Sequence, residues 1–281
     1  MDSNHHVTAI IDSGATIGKN VTIGPYAIIG PHVHLEDNVV IHSHAVIDGW
    51  TTIGAGSTIY PGAVIGTKTQ DKKFKGEKTF VVIGKNTEIR ECVTINSSCQ
   101  EGTTVKVGDN CLIMAYCHVA HNCEVGNEVI MSNSTMLAGH VIVEDCVILS
   151  GLVGVHQFCR IGAYAMVGGM SRITHDVPPY TIGAGTPYRL GGLNLVGMRR
   201  RGFHLETTKE LAKAWKLIYR SGLSLDEAYQ AIEEQVAPLQ EVRHFIQFCK
   251  NSKRGIIPID AGLEEWSAMK EEVREPVLVR T

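Results

Sequence analysis

Large rings are scarce in this 281-residue chain, where aromatics make up 6% of positions. No run of about 18 consecutive apolar residues occurs in it, which excludes an ordinary membrane-spanning helix. No charged segment followed by an apolar stretch opens the sequence, so no secretory signal is read. Neither sign of charge is in excess. Lys and Arg number 26 against 29 Asp and Glu, a net charge of -3, which argues against nucleic acid as a partner. The expectation is a soluble, cytoplasmic protein. Glycine, at 29 residues, is plentiful. Few rings and many small residues suit a narrow, regular interior.

Periodicity is the main signal. Stepping by six from Ile11 gives Ile17, Ile23, Ile29, Leu35, Ile41, Ile47, Ile53, Ile59 and Ile65. The phase lapses at Asp71 and Glu77, returns at Ile83, Ile89 and Ile95, and lapses again at Glu101. From Val107 it runs unbroken to Ile173. Glycine often follows the aliphatic residue, as at Gly18, Gly24, Gly54, Gly108 and Gly162, and is expected to supply the φ > 0 turn positions. Four places after each aliphatic stands a small or β-branched residue such as Ala15, Val21, Ala27, Ala63 or Ala165. Each hexad therefore reads as a short strand and a tight turn with two side chains inward. Three hexads close one triangular coil, and stacked coils bury a continuous core. This spacing resembles the hexapeptide-repeat family, whose fold is a left-handed parallel β-helix.

Cys99, Cys111, Cys117, Cys123 and Cys159 all fall on the small inward position and read as buried apolar residues, with a metal or redox role as the alternative. The polar stretch at about 67–82 carries no aliphatic pattern and reads as an external loop. After Pro178-Pro179 the repeat ends. Leu211, Trp215, Ile218 and Tyr219 lie at helical spacing, and Gly222 follows as a C-terminal stop. Ser224 and Glu227 form a capping box for a second helix, and Val242, Phe245, Ile246 and Cys249 mark a third. The division expected is a β-helix over 1–190 and a small α-helical domain over 191–281, a mainly β chain overall.

In an unbroken repeat, three hexads advance one coil along the same edge. His121, Gly139 with His140, and His156 with Gln157 should therefore stack, about 5 Å apart. His118 stands three places before His121. Such a cluster suits a general base working near neutral pH, or three histidines on Zn²⁺.

The ordered motifs His118-Val-Ala-His121-Asn122-Cys, Leu137-Ala-Gly139-His140 and Val155-His156-Gln157-Phe158 resemble those of the UDP-N-acetylglucosamine O-acyltransferases. Gln70-Asp71-Lys-Lys73 resembles that family's substrate loop, and Asn194 to Phe203 its junction between coils and helices. The resemblance covers the chain to about residue 257. It implies transfer of an acyl group from the phosphopantetheine of acyl carrier protein to the 3-hydroxyl of UDP-N-acetylglucosamine, the first step of lipid A biosynthesis. It implies a homotrimer with no resident cofactor or metal. His121 would be the general base, and the Gly139 N–H would receive the oxyanion. Gln70, Asp71, Lys73, His118, Asn122, His140, His156, Gln157, Asn194, Arg200 and Arg201 would hold substrate. Gly169, where relatives that take short chains carry a bulky residue, would leave room for a myristoyl-class chain, with or without a 3-hydroxyl.

Two departures stand out. Asn122 replaces the Asp that commonly follows the catalytic histidine, and an amide orients the ring without adding charge. A weaker base is expected, not a lost one. Val196 replaces a Glu and puts a ribose contact in doubt. Three rival readings compete with this one. The N-acyltransferase of the same pathway has a uridine-binding domain before its coils, and here hexads begin by residue 11. A γ-class carbonic anhydrase separates its two close histidines by four residues, against two between His118 and His121. A non-catalytic scaffold would not need the polar ladder.

Overall fold

A computed structural model describes residues 4–258. The remainder of the expected helical domain, 259–281, lies outside these residues. Three sheets of 11, 9 and 8 strands, parallel except for the last pair of the first, form the faces of a prism. Most strands are two residues long. The first sheet runs from Asn4–His5 through Thr22–Ile23 and Val40–Ile41. The second starts at Ile10–Ile11 and the third at Thr16–Ile17. Each strand pairs in register with the strand one coil away, as Ile142 with Arg160 and Val143 with Ile161. The aliphatic of each hexad points inward: Ile23, Ile41, Ile59, Val107, Val125 and Ile161 are all buried. The small partners Val21, Ala27, Ala45 and Ala63 are buried beside them.

The two lapses in the repeat correspond to chain that leaves the prism. A regular coil pairs residues three hexads apart, as Val46 with Val64. Val64 pairs with Thr94, five hexads on, so two hexads are extra. Thr94 pairs with His118, four hexads on, so one is extra. The first excursion is 68–79, shorter than expected, because Phe80–Ile83 form a four-residue strand. The second, 97–103, amounts to a single inserted hexad. Both keep the phase, which is why the period reads through them. Cys99 sits in the second excursion and is half-buried there, not inside the coils as its spacing suggested. Cys111, Cys117, Cys123 and Cys159 are buried as expected. Burial pushes their thiols up to about 11, 11, 12 and 11, so they stay protonated.

The role expected of the repeat glycines also changes. The left-handed conformation belongs to the residue two places later, at Asn20, Tyr26, Asn110 and Tyr164. Glycine is needed at 18 and 54 for closeness. A Cβ at Gly54 would lie 2.5 Å from the Gly84 carbonyl carbon, and one at Gly18 2.7 Å from the backbone of Glu36.

The parallel ladder ends where Thr181–Ala184 pairs antiparallel with Arg189–Leu193. Four helices follow: α1 Leu195–Arg200, α2 Leu205–Tyr219, α3 Leu225–Gln235 and α4 Gln240–Lys250. Helix α1 is additional to the three expected. The capping box at the start of α3 is formed by Ser224 and Glu227. Leu211, Ile218, Phe245 and Phe248 bury the helices' apolar faces.

Glu144 joins α4 to the coils. Its carboxylate accepts from His244 Nε2 at 2.9 Å, Arg160 at 3.3 Å and the Ala163 N–H at 2.9 Å. Burial works against the charge, but the His244, Ala163 and Arg160 donors together hold the carboxyl below its ordinary 4.5. A carboxyl depressed in the folded state contributes stability above its unfolded pKa and loses it as pH falls. Glu144→Gln, which sets an amide against these donors, should cost ~2 kcal/mol at neutral pH. In thermal melts of parent and variant, the gap in Tm should narrow as pH falls below 4.5. A gap independent of pH would show that the charge contributes nothing.

Candidate active site

The corner between the second and third sheets carries the candidate chemistry. The chain leaves the second sheet at His118–Val119 and enters the third at Glu124–Val125, and His121 and Asn122 form the turn between them. Asn122 has φ 57, a left-handed conformation that asparagine tolerates. One coil on stand Gly139 and His140, and two coils on Gln157 and Phe158. The His140 N–H donates to the His121 carbonyl at 3.0 Å, and the Phe158 N–H to the Gly139 carbonyl at 3.2 Å. The expected stack is therefore present. The His140 ring lies edge-on to His121 at 5.2 Å and stacks on Phe158 at 4.7 Å.

Gly139 is buried beneath the His121 ring. A Cβ there would fall 2.5 Å from His121 Nε2, so only glycine lets the imidazole lie against the next coil. The Gly139 N–H donates to no backbone acceptor among the described residues.

A hydrogen-bond chain fixes the tautomer of His121. The Thr103 hydroxyl donates to the Gln100 carbonyl at 2.6 Å. Thr103 Oγ1 can then only accept from Asn122, whose Nδ2 lies 3.2 Å away. That orients Asn122 Oδ1 toward His121 Nδ1 at 3.1 Å and toward the Cys99 thiol at 2.9 Å. A carbonyl oxygen only accepts, so Nδ1 of a neutral His121 carries the proton and Nε2 keeps its lone pair. The spacing reads Cys99 chiefly as a core residue and gives no sign of Thr103 as a site residue. The only signal was the lapse at Glu101, which marks an excursion without saying where it goes.

The longer excursion returns to the same corner. Asn96 Nδ2 donates to Thr67 Oγ1 at 3.2 Å and to the Lys68 carbonyl at 3.1 Å, anchoring its start. The Lys73 N–H at 2.8 Å holds the Asp71 carboxyl below the usual carboxylate range, and the nearby His121 ring adds to this. Gln70 and Lys73 are exposed on this loop.

His118 faces outward from the second sheet, one strand from Thr94, whose hydroxyl lies 2.7 Å from Nδ1. Burial holds its imidazole below the ordinary histidine value. His140 is lowered too, by burial first and then by His121. A cavity of about 380 Å³ opens beside His118, over Met136, Ala138, Gly154, His156 and Arg172. The exposed His156 donates from Nδ1 to the Gln157 carbonyl at 3.1 Å.

Four expected residues lie elsewhere. Asn194, Arg200 and Arg201 stand at the corner between the third and first sheets. Asn194 caps α1 by accepting from the Gly197 N–H, and its amide donates to the Tyr164 carbonyl at 3.0 Å. Arg201 pairs with Glu128. Gly169, exposed at the remaining corner above Gly151, does not line the cavity.

A three-sheet prism with a tautomer-fixed imidazole beside an apolar cleft defines a hexapeptide-repeat acyltransferase. Comparison with known proteins narrows this class. The bacterial transferase hexapeptide model matches residues 14–49, 32–67 and 104–139. The second-domain model of UDP-N-acetylglucosamine O-acyltransferase matches 176–257. The acyl-[acyl-carrier-protein]--UDP-N-acetylglucosamine O-acyltransferase of Chlamydia caviae is 55% identical, covering 99% of this chain and all of that one. Its namesake in Chlamydia abortus is 56% identical over 90% of this chain and 91% of its own. The UDP-N-acetylglucosamine acyltransferase structure from Bacteroides fragilis superposes with a TM-score of 0.88 at 42% identity, covering 90% of this chain and 99% of that one. The chain belongs to the acyl-[acyl-carrier-protein]--UDP-N-acetylglucosamine O-acyltransferase family.

The tautomer can be checked directly. Long-range ¹H–¹⁵N spectra of the His121 ring should show a protonated Nδ1 and a bare Nε2. Asn122→Ala should mix the two forms, and Gly139→Ala should shift the ring signals by displacing the imidazole. A protonated Nε2 in the parent at neutral pH would overturn the hydrogen-bond assignment.

Proposed function

We propose that this chain transfers a long, myristoyl-class acyl group, with or without a 3-hydroxyl, from acyl carrier protein to the 3-hydroxyl of UDP-N-acetylglucosamine. This is the first step of lipid A biosynthesis. Family membership supports the reaction class. The observation that carries the mechanism is the Asn122 carbonyl oxygen 3.1 Å from His121 Nδ1, which leaves Nε2 of the neutral ring to act as the acceptor.

A sugar hydroxyl attacks a thioester well only if its proton leaves as the bond forms. His121 Nε2 takes that proton while the 3-oxygen bonds to the thioester carbon. The Asn122 carbonyl stabilises the imidazolium that results, without the full charge of a carboxylate. The Gly139 N–H receives the oxyanion of the tetrahedral intermediate. Its collapse breaks the carbon–sulfur bond, and the imidazolium returns the proton to the phosphopantetheine thiolate. The ester and the free carrier thiol are the products.

Gln70, Asp71 and Lys73 reach toward the sugar from the loop, with His118, His140, His156 and Gln157 along the corner. The cleft beside His118 takes the start of the acyl chain. Gly169, at the next corner and outside that cleft, would leave room for the far end of the acyl chain beyond it. Asn194, Arg200 and Arg201 stand on another edge of the same prism, so one copy cannot bring them to His121. Side-by-side packing of three copies with cyclic symmetry would place one subunit's arginines against the next subunit's histidine corner. We therefore infer a homotrimer with sites between subunits. The coils are assigned left-handed, as hexapeptide repeats imply, with the domain division near residue 191. Among the described residues no helix is long and apolar enough to cross a membrane, and we place the reaction in the cytoplasm.

Acyl transfer from radiolabelled myristoyl-acyl carrier protein to UDP-N-acetylglucosamine should proceed with the parent. In His121→Ala it should fall by about 10²–10⁴-fold. A rate that survives in the variant would remove His121 from the mechanism. No transfer from either myristoyl or 3-hydroxymyristoyl donors would overturn the reading. Co-expression of His121→Ala with Arg201→Ala should restore part of the parental rate, because some mixed trimers contain an intact site. No recovery would argue against a shared site.

A further inference from the structure

We infer that Cys99, His121 and His140 form a site for a soft divalent cation, Zn²⁺ above all, whose occupancy switches acyl transfer off. The donor atoms of these three side chains all lie within 4.8 Å of one another, and all three residues are half-buried. They reach this point by separate routes. His121 and His140 come from turns of adjacent coils, whose backbones are joined by the His140 N–H. Cys99 comes from the one-hexad excursion, held by its backbone N–H and thiol on Asn122 Oδ1. The four buried coil cysteines are unlike it, since they sit inside the prism and join no such donor cluster among the described residues.

The donor set decides the ion. One thiolate and two imidazoles suit Zn²⁺ and exclude hard cations such as Mg²⁺ or Ca²⁺, which take oxygen ligands. Tetrahedral Zn²⁺, with bonds of roughly 2.0–2.3 Å, needs donors roughly 3.5 Å apart. The three groups must therefore close by up to about 1.3 Å, a motion that rotation of the Cys99 side chain and the His140 ring can supply. Binding releases the thiol proton to solvent. The fourth position of a tetrahedral ion is left to water.

The consequence for catalysis rests on the reading of His121 as the base. It follows whichever ring nitrogen binds. An ion on Nε2 takes the lone pair that would accept the hydroxyl proton. An ion on Nδ1 displaces the proton there, and the neutral ring then carries its hydrogen on Nε2. Either way the ring can no longer accept a proton from substrate. His118, two residues from the spacing expected of a carbonic anhydrase, takes no part; its Nδ1 faces Thr94.

The test uses the full-length protein freed of metal by a chelator and titrated with Co²⁺. A thiolate-to-cobalt charge-transfer band in the near ultraviolet and tetrahedral bands in the visible are expected, at one ion per chain. Zn²⁺ should displace the cobalt, and it should inhibit acyl transfer in a way that chelator reverses. Loss of even an outer-sphere partner weakens metal sites about 10–100-fold, so Cys99→Ser and Cys99→Ala should weaken Zn²⁺ inhibition by about tenfold or more, each judged against its own metal-free rate. Absence of the charge-transfer band would overturn the site. So would Zn²⁺ inhibition of equal strength in the parent and both variants. A cobalt spectrum with the thiolate band in a protein that transfers no acyl group would keep the metal site and reject the acyltransferase reading instead.

Discussion

Everything in this molecule depends on the in-register stacking of one coil's backbone on the next. A two-residue strand has too few hydrogen bonds to stand alone, and its cost in chain entropy is large. Repeated through sheets of 8 to 11 strands, the same small unit becomes a long cooperative ladder. That ladder sets the spacing of every side chain on the surface. It brings His121, Gly139 and Gln157 to one corner although a full coil of chain separates each from the next. It also explains the glycines. Where glycine follows the aliphatic, as at Gly18, Gly54, Gly84 and Gly108, the next coil leaves no room for a Cβ, while the left-handed turn position accepts asparagine, tyrosine, histidine and even Leu152.

The chemistry comes from departures from that regularity. Excursions of two hexads and of one leave the prism, and both return to the His121 corner. They add what a repetitive surface cannot provide. Asp71 comes with the first, and Cys99 and Thr103 with the second. Thr103 is a small instance of how remote a cause can be. Its hydroxyl proton, committed to Gln100, determines which way the Asn122 amide faces, and so which nitrogen of His121 is free. Asn122 thereby does by geometry what an aspartate does by geometry and charge together.

The sequence showed the coil architecture, the helical appendage and the histidine corner because each follows from a period. Ile11 to Ile173 carries one frequency, and the α3 capping box carries a local signature. Residues whose place depends on an excursion were out of reach. Cys99 has the right phase to be a core residue and is not one, since phase survives the insertion of whole hexads while position does not. Helix α1 is six residues long and contains Gly197, too short and too interrupted for periodicity to find. Asn194 and Arg201 were named through family resemblance. In this chain they cap a helix and pair with Glu128, which no spacing rule could have supplied.

The stacked columns of rings have an evolutionary consequence. His140 over Phe158, Tyr164 over Tyr180, and His42 over Tyr60 show that a side chain at one corner is followed by another of similar orientation one coil further on. The prism is thus graduated like a ruler, in divisions of about 4.8 Å. Moving a residue three hexads along the sequence shifts a contact by one division without turning it. Substrate length on such a scaffold can change in whole steps by exchange of single residues, with no change in the path of the chain.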